Sequence, residues 1–145
     1  MSFLFKKVCI ASDHAGFDLK EKIKDFLIDK YVSIIDLGPF DNKSVDYPDY
    51  AKKLAYRIKA KKSDAGILVC GSGTGMAISA NKIKTIRAAV CYNLKSTRLS
   101  RQHNNANIIA LGARFTKKKL SLKLVETFLK TKFEGGRHLR RVKKI

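Results

Sequence analysis

The 145 residues include no tryptophan, two prolines, two methionines and three cysteines, and acid is scarce: 12 Asp and Glu against 31 Lys and Arg. Each shortage removes a class of function. Cys9, Cys70 and Cys91 are odd in number, form no C-x-x-C pair and do not alternate with histidine at zinc spacings. Neither a disulfide framework nor a metal-ligand cluster is therefore expected. Between Gly66 and Val125 there is no Asp or Glu. That gap removes carboxylates as local bases and metal ligands, and removes the acid that holds an NAD ribose about 20 residues beyond a glycine fingerprint. No apolar run approaches the ~18 residues of a membrane span, and Met1-Ser2-Phe3-Leu4-Phe5-Lys6-Lys7 is too short an apolar opening for a secretory leader. A cytoplasmic protein with no membrane partner is expected.

What is present alternates between strand-like runs and helical periodicity. Val8-Cys9-Ile10-Ala11 reads as a first strand, Val32 to Leu37 as a second, Ile67-Leu68-Val69 as a third, Ile86 to Cys91 as a fourth and Ile108-Ile109-Ala110-Leu111 as a fifth. Leu19, Ile23, Phe26 and Leu27 form a helical stripe after the first. Pro48 opens a helix to about Lys61, further helices run to Ile83 and from Ser96 to Gln102, and Leu120, Leu124, Phe128 and Leu129 mark the last. Five β-α units with nearly continuous apolar strands predict one α/β domain, a three-layer α/β/α sandwich around a five-stranded parallel, Rossmann-like sheet. In such sheets ligands gather beyond the carboxyl ends of the strands. Asp13 and His14 follow strand one, the Cys70 segment follows strand three and Arg114 follows strand five, so these converge on one rim.

The most informative segment is Cys70-Gly71-Ser72-Gly73-Thr74-Gly75, which places a thiol where a buried strand breaks into a glycine turn before a helix. Backbone N–H groups at such a helix start suit a phosphate or a developing oxyanion. Nucleotide motifs fail here. A G-x-G-x-x-G fingerprint would need glycine at Met76 or Ile78, and a Walker loop from Gly66 would need lysine at Ser72. Cys70, His103 and hydroxyls are left as the reactive candidates. Cys9 and Cys91 read as small buried hydrophobes.

The formal net charge of +19 raises a nucleic-acid reading. The lysines are nevertheless dispersed over helix faces, as in Lys20, Lys22, Lys24 and Lys52, Lys53, Lys59, and no RNP-like aromatic strand is present. No nucleic-acid partner is expected, and the positive field favours encounter with a small anionic substrate.

Six blocks carry a resemblance: Ser12-Asp13-His14-Ala15-Gly16, Asp46-Tyr47-Pro48, the Cys70 to Gly75 loop, Arg101-Gln102-His103-Asn104, Leu111-Gly112-Ala113-Arg114 and Gly135-Gly136-Arg137-His138. In order and spacing the chain resembles the type B ribose-5-phosphate isomerases, which are similar to the subunits of bacterial galactose-6-phosphate isomerase. The resemblance implies an aldose–ketose isomerase that shifts a proton between carbons 2 and 1 through an enediol(ate), with no metal and no organic cofactor. It implies Cys70 as the carbon-acid base, a thiol that the helix N-terminus must make more acidic. Family members lacking this cysteine carry a glutamate where Met76 stands, and Met76 cannot take a proton. Ser72 and the N–H groups of Gly73, Thr74 and Gly75 would hold the enediolate, with Gly71 also in the substrate site. His103 would open the sugar ring, imidazole being suited to proton transfer near neutrality. Asp13 and Tyr47 would orient the sugar, with helix capping and core packing as their structural alternatives. Arg114, Arg137, Arg141 and His14 would take the phosphate with Asn104 beside them, whereas Arg140, Lys143 and Lys144 read as a solvated tail.

The resemblance further implies a homodimer with shared active sites, the tail from about 134 to 145 serving the neighbouring subunit; pairing into tetramers stays open. So does a hexose-phosphate isomerase, acting on allose or galactose 6-phosphate, although that galactose enzyme divides its catalytic groups between unlike chains. A non-catalytic phosphate- or RNA-binding module is the distant third reading.

Overall fold

The computed structural model describes residues 2–145. In chain order the elements are β1 (Val8–Ser12), α1 (Phe17–Asp29), β2 (Ile34–Asp36), α2 (Tyr47–Lys59), β3 (Ala65–Cys70), α3 (Thr74–Asn81), β4 (Ala88–Val90), α4 (Leu94–Gln102), β5 (Ile108–Gly112), α5 (Lys118–Lys130) and α6 (Arg137–Val142). The strands form one parallel sheet in the order β2-β1-β3-β5-β4. This is the expected α/β/α sandwich, and alternate residues of each central strand serve its two faces. Val8, Ile10, Ile67, Val69, Ile109 and Leu111 pack toward α1 and α5. Cys9, Ala11, Leu68, Cys70, Ile108 and Ala110 pack toward α2 and α3. Because both faces are covered, the strands read as unbroken apolar runs.

Element ends differ from the sequence expectation for local reasons. The second and fourth strands are each three residues, not the six anticipated from Val32 to Leu37 and Ile86 to Cys91. Both lie at sheet edges, and their flanks are engaged in turns: Val32 N–H bonds the Leu27 carbonyl and Ile86 N–H the Ile83 carbonyl. The third helix stops at Asn81, since Ile83 N–H turns back to Ala80. The fourth starts at Leu94 rather than Ser96, because Asn93 accepts the Ser96 N–H at 2.8 Å and caps it. Arg137 to Val142 form a sixth helix, so Arg137 and Arg141 do lie one turn apart.

One buried charge ties α1 to the edge of the sheet. Lys20 is fully buried on α1, with Nζ 2.6 Å from Asp36 and 3.0 Å from Glu21, beneath the Phe17 and Phe40 rings. Burial pushes the Asp36 carboxyl up, but Lys20, Lys24 and the Gly38 N–H together bring it below its ordinary value. Asp36→Asn removes the nearer of the two carboxylates at buried Lys20 and leaves the part-exposed Glu21. Urea unfolding should show a loss, held by Glu21 below the roughly 3–5 kcal/mol of a buried charge left with no partner. Because the folded carboxyl is depressed, the contribution is complete above about pH 4 and lost as the pH falls further. The destabilisation caused by Asp36→Asn should shrink over that same acid range.

Candidate active site

The chain order runs outward in opposite directions from β1 and β3, which makes their carboxyl ends a switch point where a crevice opens. Asp13 stands there directly beside β3, its N–H bonded to the Val69 carbonyl at 3.1 Å. One Asp13 oxygen accepts the Gly16 N–H at 3.0 Å, so the side chain does shape the turn into α1, though from a position ahead of the helix N-cap. His14 Nδ1 accepts the Val45 N–H at 3.2 Å, which leaves Nε2 as the donor of the neutral ring.

The glycine loop is built around the sulfur. Cys70 ends β3, 4% exposed, and its Sγ accepts the Gly73 N–H at 3.1 Å. Gly73 adopts φ of +82° and turns the chain sharply into α3, a conformation that favours glycine. Thr74 N–H bonds the Ser72 hydroxyl at 3.2 Å, while the later first-turn N–H groups, including that of Gly75, have no intrahelical acceptor. The loop after β5 lies against this turn: Ala113 and Arg114 N–H bond the Cys70 and Gly71 carbonyls. A Cβ on Gly71 would meet the Arg114 guanidinium at 3.1 Å, and one on Gly75 would meet the Tyr47 ring at 2.7 Å. Tyr47 is therefore a half-exposed lid over the loop, not a core residue. Asp13, His14, Tyr47, the Cys70 to Gly75 loop and Arg114 thus share one rim.

The remaining predicted residues do not join them within the chain. A helix connecting parallel strands returns to the amino-terminal edge of the sheet, and His103 caps the far end of α4. Asn104 accepts from Arg87, which immediately precedes β4. The tail packs here too: Glu134 N–H bonds the Gln102 carbonyl at 3.1 Å, and the His138 ring stacks on His103 at 4.1 Å between centroids. Arg137 and Arg141 stand exposed on the same short helix. The two groups are separated by the length of β5, ~15 Å at roughly 3.3 Å per residue.

Two residues that the sequence reading passed over hold these halves in shape. Tyr92 donates its hydroxyl to the Ser72 carbonyl at 2.7 Å and pins the glycine loop from beyond β4. Arg101, nearly buried, donates to the carbonyls of Thr131 and Ala106 and to the Asn105 side chain, with its guanidinium over the Phe5 and Phe128 rings. Burial and nearby Arg87 lower it to about 10, so it stays charged near neutrality. Tyr92 finds Ser72 20 residues away and Arg101 finds Thr131 30 residues away, so these two ties leave no local signal, although Asn105 and Ala106 lie close to Arg101 in sequence. The expectation that no metal-ligand cluster exists is corrected: His103, Glu134 and His138 bring their ligand atoms within 4.8 Å of one another. Folding the tail onto α4 makes that group, which no sequence spacing discloses. Burial pushes the Cys9 thiol up to about 11 and also raises Cys91.

Comparison with known proteins places this geometry in a family. Residues 8–145 match the model described as Ribose/Galactose Isomerase. Ribose-5-phosphate isomerase B of Escherichia coli is 42% identical over 140 residues, covering 97% of this chain and 94% of that protein. The solved structure of Clostridium thermocellum ribose-5-phosphate isomerase B superposes with a TM-score of 0.94 at 50% identity, covering 95% of this chain and 93% of that one. The Mycoplasma genitalium enzyme, solved with bound ribulose 5-phosphate, gives 0.90 at 44% identity, covering 94% and 91%. With the family match spanning nearly the whole chain and such relatives matched end to end, this chain belongs to the ribose/galactose isomerase family.

Proposed function

We propose that the protein interconverts D-ribose 5-phosphate and D-ribulose 5-phosphate through an enediol(ate), a step of non-oxidative pentose phosphate metabolism in the cytoplasm. The observation that carries this reading is the Cys70 sulfur, held by a backbone N–H at the start of α3 and flanked by Asp13 and Arg114 on the switch-point rim. His103 moves a proton between the ring oxygen and O1 to open the sugar, with Asp13 and Tyr47 orienting the hydroxyls. The Cys70 thiolate then takes the proton on C2 and electron density passes onto the C1 oxygen; the O2 proton is transferred to O1, and Cys70 returns its proton to C1 as C2–O closes to the ketone. The Ser72 hydroxyl and the first-turn N–H groups meet the developing oxyanion, where one well-placed donor is worth ~3 kcal/mol. Arg114 and His14 bind the phosphate.

His103, Asn104, Arg137 and Arg141 come from the partner subunit. Their position on the opposite rim from Cys70 supports a homodimer in which each site takes its thiol half from one chain and its imidazole half from the other. A twofold arrangement satisfies both sites at once, as an isologous dimer requires.

The test is turnover of ribose 5-phosphate by pure protein in EDTA. Full activity is expected, because the base, the acid and the oxyanion donors are all protein groups. Loss of turnover in EDTA with rescue by a divalent ion would defeat the enediol mechanism assigned here.

A further inference from the structure

Among the described residues, His103, Glu134 and His138 form the group of side chains able to hold a metal ion. They come from the end of α4, from the segment after α5 and from α6. Their backbones are tied in place: His103 N–H bonds Leu99, Glu134 N–H bonds Gln102 and His138 N–H bonds Gly135. The His103 Nε2 lies 3.5 Å from a Glu134 oxygen, and the ligand atoms of all three fall within 4.8 Å.

Two imidazoles and a carboxylate are the donor set of open zinc sites, which keep a fourth position for water. With bonds of ~2.0–2.1 Å, tetrahedral ligands lie about 3.4 Å apart. The group needs to contract by little more than an ångström to enclose an ion. Its side chains have room to do so, those of His103 and Glu134 being 38% and 49% exposed. The present stacking, with the ring planes 11° apart, means that one imidazole must swing so that both lone pairs face a common point. Arg137 and Arg141 oppose a cation electrostatically, so binding rests on coordination to nitrogen and favours zinc, cobalt or nickel over magnesium or calcium.

We propose that His103, Glu134 and His138 bind a divalent transition-metal ion of the zinc class, and that its binding inhibits the isomerase by occupying the imidazole that opens the sugar ring. The inhibitory half rests on the role given to His103 above. The metal takes no part in turnover, in keeping with activity in EDTA.

The experiment uses the full chain stripped of metal and titrated with Co²⁺, with Zn²⁺ then displacing it. A visible d–d spectrum of nitrogen- and oxygen-bound Co²⁺ is expected, with no thiolate charge-transfer band. His138→Gln and Glu134→Gln should each weaken Zn²⁺ binding by roughly tenfold or more. Zn²⁺ should inhibit the wild type reversibly, and should inhibit each variant less, relative to that variant's own activity in EDTA. A thiolate band, or affinity unchanged in both variants, would place the metal elsewhere and overturn the proposal, as would binding without inhibition. Were the EDTA-treated protein inactive on ribose 5-phosphate, the spectrum would still decide the site, and the inhibitory half would fall with the isomerase reading.

Discussion

Cys70→Ala is expected to lower kcat by roughly 10³-fold or more while leaving phosphate affinity nearly unchanged, because a general base acts chiefly in the transition state. The side chain is small, and Ala fills most of its space at the end of β3, so folding should survive. Nothing nearby replaces it. Met76 is buried with the core on the same face, and no carboxylate stands between Gly66 and Val125. Steady-state kinetics on ribose 5-phosphate, with binding of the inactive variant followed separately, measure both quantities. Alkylation near neutral pH should track loss of activity and modification of Cys70, with substrate protecting. Cys9, raised to about 11, and Cys91, raised by burial, are thiols at that pH and react slowly. A fully active Cys70→Ala protein would remove the thiol from the chemistry.

Activity should reappear when two inactive proteins are mixed. If each site draws Cys70 from one chain and His103 from the other, then Cys70→Ala and His103→Ala dimers are each inactive at both sites. A heterodimer of the two has one site with both substitutions and one with neither. Random exchange makes half the dimers heterodimers, with one of two sites intact in each, so recovery to roughly a quarter of wild-type activity is expected. Equal amounts of the two proteins, unfolded and refolded together, provide the measurement. No recovery, with heterodimers shown to be present, would place Cys70 and His103 in the same chain's site or remove one of them from the reaction. The separation of the two residues by the length of β5 argues for recovery.

Much of the architecture was legible because a strand covered on both faces must be apolar throughout. The runs at Val8, Ile67 and Ile108 could not be anything but central strands of a layered α/β domain. The edge strands were overread for the same reason: Val32 and Ile86 are apolar and buried, but the Val32 N–H turns back onto Leu27 of α1 and the Ile86 N–H onto Ile83 in the turn after α3. Burial leaves a mark on residue type; hydrogen-bond partnership does not.

The carboxyl-rim half of the candidate site was equally legible, since each member follows its strand within a few residues and the topology rule puts such loops together. Cys70, Asp13, His14 and Arg114 needed no knowledge of distant packing. Tyr47 was ambiguous until the structure laid its ring over Gly75. By itself the sequence determined the parallel sheet, the strand ends that carry the thiol loop, and the absence of a local carboxylate base. Only the tertiary structure decided that His103 and the tail meet one another at the opposite rim, stacked and joined by Glu134. The reason is physical. Period and turn chemistry act over a few residues and leave their imprint on the chain, whereas the docking of the tail on α4 depends on contacts such as Arg101 with Thr131, thirty residues apart, which no local pattern encodes.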